Sequence, residues 1–153
     1  MRTMVDILIV DDSDEDAALT LESLRRAAPG ATMLRLTDGE QALHFICASD
    51  GFAARPPGLP KLVLLDLHMP GIDGIAVLQS LRARPGMQEM PVVLWTSSSN
   101  PFFIEQALQA GASAYVVKPQ SLDDYRSEIE MIVRRWLQGE ASASSMITSK
   151  RSA

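Results

Sequence analysis

Cysteine is almost missing from this sequence: Cys47 is the single one in 153 residues. No intrachain disulfide and no thiolate metal cage can therefore form, and Cys47 itself reads as a small buried helix residue rather than a redox site. Aromatic residues are scarce at 5%, which leaves aliphatic side chains to fill the core. A basic excess is absent too. The net charge is −5, whereas a general binder of phosphate backbones needs a basic face, so no nucleic-acid partner is expected. No run approaches the roughly 20 apolar residues of a membrane span. The opening MRTMVDILIVDD has too short an apolar stretch for a secretory leader before it runs into acid. These absences describe a soluble protein of a reducing compartment, hence cytoplasmic, with no membrane partner.

Short apolar runs alternate with helix-period segments. The spacing predicts strands at 4–10, 32–36, 61–65, 91–95 and 114–117. DILIV, KLVLL and PVVLW within them are almost continuously apolar, as strands covered on both faces must be. Between them lie amphipathic segments: Ala17, Ala18, Leu21 and Leu24 form one stripe, and Ile75, Leu78 and Leu81 another. The last stripe is Leu122, Tyr125, Ile129, Ile132, Val133 and Trp136. Pro29-Gly30 ends the first helix, Gly111 ends the fourth, and Asn100-Pro101 starts the fourth as N-cap and first-turn proline. Five such βα units imply a doubly wound α/β domain with a mostly parallel sheet. Residues 4–138 are assigned to that domain, and 139–153 to a Ser/Ala-rich tail without apolar period. A Pro/Gly-rich insertion occupies 50–60.

A parallel sheet binds ligands outside the carboxyl ends of its strands. Asp11-Asp12 follows the first strand, Asp66 the third, Thr96 the fourth and Lys118 the fifth. All converge on one edge. Three carboxylates gathered there repel each other, two unit charges 4 Å apart interacting by about 4 kcal/mol even at an effective dielectric near 20, unless a cation neutralises them. Hard oxygen donors favour Mg²⁺, and no paired His or Cys offers a softer site. With a divalent ion present, one carboxylate can attack phosphorus to form an aspartyl phosphate. In this reading the Lys118 ammonium stabilises the equatorial phosphoryl oxygens, and the Thr96 hydroxyl donates to one of them. The plainer reading of Asp14, Glu15 and Asp16 is a first-turn answer to the helix dipole, with Asp12 or Ser13 as the cap.

These residues resemble the response-regulator receiver family. The resemblance is carried by ILIVDDS at 7–13, LLDLHMPGIDG at 64–74, WTSS at 95–98 and AYVVKP at 114–119, in the family's order and spacing. It implies a five-stranded flavodoxin-like sheet of order 2-1-3-4-5 with five helices, and a phosphoacceptor rather than an enzyme in its own right. By that resemblance Asp66 accepts the phosphoryl group and assists its own phosphotransfer and dephosphorylation. Asp11 and Asp12 hold Mg²⁺, one of them through water, and the backbone carbonyl of His68 completes the metal shell. Many relatives carry Asn at the position of His68. Thr96 and Tyr115 match the family's switch pair, and Lys118-Pro119 resembles its cis peptide.

The implied partner is a sensor histidine kinase. The 50–60 insertion and the Arg135-Trp136-Leu137 ending look like regulators paired with phytochrome-type kinases, though chemotaxis-like or phosphorelay receivers share most of these features. Phe102-Phe103-Ile104 cannot all be buried by one helix face, so the surface of the fourth helix, fifth strand and fifth helix is expected to carry a homodimer contact. Other readings fit less well. A haloacid-dehalogenase-type hydrolase needs a second Asp where His68 stands, and a flavin carrier would face its phosphate with DDSDED. A receiver fold that no longer takes phosphate, acting as a pure interaction module, is the remaining alternative.

Overall fold

A computed structural model describes residues 5–47 and 58–139, and the backbone of 147–148. Strands β1 (Ile7–Val10), β2 (Met33–Leu36), β3 (Leu62–Leu65), β4 (Val92–Thr96) and β5 (Ala114–Val117) alternate with helices α1 (Asp14–Ala27), α2 (Gly39–Ile46), α3 (Gly74–Arg82), α4 (Pro101–Gln109) and α5 (Leu122–Ile132). These five strands are all parallel in the order β2-β1-β3-β4-β5, which is the expected architecture. The central strands are buried throughout because helices cover both faces. Side chains alternate between those faces with period two. Leu8, Val10, Val63, Leu65, Val92 and Leu94 pack with residues of α2, α3 and α4. Ile7, Ile9, Leu62, Leu64, Val93 and Trp95 pack with residues of α1 and α5.

Each helix begins on a short polar side chain that accepts a backbone N–H: Ser13 from Asp16, Asp38 from Gln41, Asp73 from Ala76, Asn100 from Phe102 and Ser121 from Asp124. Gly30 and Gly111 lie at φ 90° and 104° just beyond α1 and α4, where a left-handed residue terminates a helix.

Several expectations need correction. β1 starts at Ile7 rather than at position 4, because Asp6 closes the ladder locally, exchanging hydrogen bonds with Thr32 through both backbone and side chain. Ala18 is exposed, and Thr20 takes its place in the buried stripe of α1. Leu122 is also exposed, at 46%, so the buried stripe of α5 starts at Tyr125. After Ile132 the helix widens into a π-helical turn, Val133–Leu137, leaving Trp136 half-buried beneath the Arg135 guanidinium, 4.9 Å from its ring centroid. The tail assigned to 139–153 contributes a two-residue strand, β6 (Ile147–Thr148), antiparallel to β5. An edge strand has free donors and acceptors, and an irregular sequence can satisfy them without any apolar period. The 50–60 insertion lies outside the described residues except for 58–60.

Between β4 and helices α1 and α5 sits a buried polar knot. The Thr20 hydroxyl lies 2.7 Å from the Tyr125 hydroxyl and accepts the Trp95 indole N–H at 3.1 Å, while the two rings meet edge to face. Thr20→Val keeps the shape and removes that shared partner. It should cost about 1–3 kcal/mol, the penalty for leaving buried polar groups unsatisfied. Leu122→Ala, at an exposed position, should change stability by less than about 0.5 kcal/mol. Urea denaturation of both variants checks the contrast.

Candidate phosphoacceptor and metal site

Backbone ladders carry the polar residues to the rim. Asp11 N–H donates to the Leu36 carbonyl at 3.1 Å, Asp66 N–H to the Val10 carbonyl at 3.0 Å, and Lys118 N–H to the Thr96 carbonyl at 2.8 Å. Each residue thus continues its strand by one step and enters the same edge. Carboxylate oxygens of Asp11, Asp12 and Asp66 come within 4.8 Å of one another. Asp11 is buried, Asp66 half-buried and Asp12 exposed. The Arg35 Nε donates to the Asp11 carbonyl at 2.9 Å, and Ser13 N–H donates to Asp11 Oδ1 at 2.9 Å. Gly74, at the start of α3, passes so close behind Asp66 that an added Cβ would strike the Asp66 carbonyl. The Gly in IDG is therefore required by proximity.

Lys118 reaches into this cluster with only 4% of its side chain exposed. Its Nζ donates to Asp11 Oδ2 at 2.8 Å and lies 3.8 Å from Asp66 Oδ2. The Lys118–Pro119 peptide expected as cis is trans, no cis bond occurring among the described residues. Trans is the lower-energy form of X–Pro bonds, and the amine arrives at the site without the isomer. Burial works against the ammonium, but the Asp11 hydrogen bond and the charges of Asp66, Asp11 and Asp16 outweigh it, so its pKa stands above the ordinary lysine value. For Asp66 the balance goes the other way. Burial, aided by the Asp11 charge, raises its pKa despite Lys118, a hydrogen bond with Thr96 and the Leu67 N–H.

Thr96 is buried at the end of β4, and its Oγ1 accepts the Ser98 N–H at 3.4 Å. Tyr115 is fully buried and donates its hydroxyl to the Ser98 carbonyl at 2.7 Å; burial pushes its phenol up. The two expected switch residues thus meet through Ser98, which sequence reading left unremarked. His68 is exposed, with its ring edge-on to Phe103 at 5.2 Å, and its imidazole is not among the grouped metal-type donors. Sequence reading also missed the pairing of Asp16 with Lys118 at 3.2 Å. A first-turn acid looks like a dipole partner from sequence, and only the fold reveals a cation above it.

The carboxylate group suits a small hard cation: all donors are oxygens, the charge is strongly negative, and one member is open to solvent so that water ligands fit. Asp11, Asp12 and Asp66 would hold it.

Fold and acidic rim together are those of a receiver domain. A family model described as "Response regulator receiver domain" matches residues 7–130, and the chain belongs to that family. It is similar to response regulator Rcp1 of Synechocystis, 30% identical over 132 residues that cover 86% of this chain and 88% of that protein. Among solved structures, the phosphorylated cyanobacterial phytochrome response regulator RcpA superposes with a TM-score of 0.82 at 25% identity, covering 93% of this chain and all of that one. The Mn²⁺-bound form of Rcp1 superposes with a TM-score of 0.80 at 29% identity, covering 90% and 98%. Among the described residues, no helix is long and apolar enough to cross a membrane.

Because Asp66 has a raised pKa in the fold, the folded state binds its proton more tightly than the unfolded chain. The contribution of this group to stability therefore falls as pH rises from the unfolded value of 3.8 through the raised folded value. Above that raised value the ionised carboxylate is a strain. Asp66→Asn should melt at a higher temperature than the wild type without divalent cation, and added Mg²⁺ should narrow the gap by stabilising only the wild type. Calorimetric melting with and without Mg²⁺ checks both.

Proposed function

We propose that the chain is a single-domain response regulator that accepts a phosphoryl group on Asp66 from a sensor histidine kinase. The observation that carries this reading is the meeting of a buried lysine ammonium with three carboxylates on one strand-end rim. Bound Mg²⁺ would supply charge neutralisation for these acids and for the incoming phosphoryl oxygens. Asp66 Oδ2, the oxygen not engaged by the Leu67 amide, attacks phosphorus. The P–N bond of the donor phosphohistidine breaks, and its electron pair leaves with the imidazole. Lys118 then takes up the charge on one equatorial oxygen, and the Thr96 hydroxyl turns from its present partners to donate to another. His68 would contribute its backbone carbonyl to such a cation.

With Thr96 turned, its hold on Ser98 is released, and Ser98 is also where Tyr115 is tied. Repositioning of Tyr115 then passes the signal to the face formed by α4, β5 and α5. Phe102 is 59% exposed there and supports the proposed contact with a second copy. Likeness to RcpA and to other phytochrome response regulators supports a phytochrome-type kinase as the donor and a cytoplasmic location. We assign 4–138 to the receiver unit and 139–153 to an appendage beyond it. The pure interaction-module reading is disfavoured because every group that phosphoryl transfer requires is present and convergent.

Incubated with Mg²⁺ and a small acyl phosphate, the protein should gain the mass of one phosphoryl group. Asp66→Asn and chelation of the metal should each abolish the gain, and Lys118→Ala should slow it at least about 100-fold, as for loss of an electrostatic stabiliser. An unchanged wild-type mass, or an equal adduct on Asp66→Asn, would refute the assignment.

A further inference from the structure

Lys118 has one more carboxylate partner than phosphoryl transfer requires. Its Nζ is hydrogen-bonded to Asp11 Oδ2 at 2.8 Å and to Asp16 Oδ2 at 3.2 Å, whereas Asp66 Oδ2 stands at 3.8 Å, beyond hydrogen-bond reach. In the resting protein the ammonium is therefore drawn to the α1 side of the rim rather than to the phosphoacceptor. Asp16 is in the first turn of α1 and outside the Asp11–Asp12–Asp66 group. The distinction matters when a cation enters. Asp11 must then share its charge with the metal, which weakens its hold on Lys118, while Asp16 keeps its full charge for the lysine.

On the α1–α5 side Lys118 lines a cavity of about 310 Å³ together with Asp16, Ser97, Ser121 and Tyr125 among others. Where the ammonium rests is decided by the charges around it, and Asp16, with 42% of its side chain exposed, keeps the weaker but undivided claim. We propose that Asp16 is a positioning residue that holds the Lys118 ammonium back on the α1 side and so opposes its engagement with a phosphoryl group on Asp66. The inference rests on reading Asp66 as the phosphoacceptor. It adds a resting-state brake whose strength sets how readily the phosphorylated form is adopted.

Beryllofluoride with Mg²⁺, a stable stand-in for the aspartyl phosphoryl group, provides an equilibrium test by titration calorimetry on the full chain. Asp16→Asn and Asp16→Ala should each bind it about two- to fivefold more tightly than the wild type, the size of a partly exposed ion pair. Asp16→Glu, which retains the charge, should return toward wild-type affinity. Glu15→Gln removes a neighbouring first-turn charge that has no role at the site, and should leave affinity unchanged. A merely structural role for Asp16 would appear as a lowered melting temperature with unaltered or weaker binding, and that result in folded variants overturns the proposal. Wild-type binding with no gain in either Asp16 variant sinks this inference alone. A wild type that fails to bind beryllofluoride sinks the phosphoacceptor reading and the brake together.

Discussion

The buried ion pair between Lys118 and Asp11 is the contact around which the rim is organised. Both side chains are almost wholly withdrawn from water. Burying an ammonium or a carboxylate alone costs several kcal/mol, and breaking such a pair by removing one partner typically costs about 3–5 kcal/mol. The pair spans the molecule, because Asp11 follows the central strand β1 while Lys118 follows β5. β3 and β4 lie between them in the observed order, so the pair ties together strands that do not touch.

β4 shows how one strand serves two purposes in adjacent residues. Trp95 faces α1 and α5, where its indole is fixed by Thr20 and its ring by Tyr125. Thr96 occupies the rim, where its hydroxyl serves Asp66 and Ser98. Side-chain alternation makes this division automatic. A rigid, fully satisfied network on one side of the backbone gives the hydroxyl on the other a fixed pivot. Thr96 and Tyr115 both meet Ser98 beyond that pivot, through its amide and its carbonyl.

How much of this was legible in the sequence depends on the kind of interaction. The strands were legible because burial on both faces leaves no room for polar residues, and DILIV, KLVLL and PVVLW show it directly. The rim was legible because a polar residue that abruptly ends such a run has only the sheet edge to occupy, which is where Asp11, Asp66 and Lys118 lie. Pairwise polar contacts across elements were not. Thr20 looks like a surface threonine until Trp95 and Tyr125 are placed over it, 75 and 105 residues away. Asp16 looks like a dipole partner until Lys118 comes down 102 residues later. Leu122 was misplaced because helical period gives a face but not how far along the helix that face is covered. β6 left no mark, since main-chain pairing asks little of side chains.

Arg35 illustrates what secures the rim from outside. It belongs to β2, at the far side of β1 from Lys118, and its guanidinium donates to the Asp11 carbonyl and to the Asp14 carboxylate at 2.9 Å each. The Asp14 contact is largely exposed and so contributes little by itself. The carbonyl contact has more consequence, because it fixes the backbone at the residue whose buried carboxylate pairs with Lys118. A carboxylate in a buried pair must keep its position, because a displaced partner leaves an uncompensated charge. The Arg35 side chain on the Asp11 carbonyl and the Asp11 amide on the Leu36 carbonyl meet that need through the main chain, while the carboxylate itself is held by the Ser13 amide on Oδ1 and by Lys118 on Oδ2.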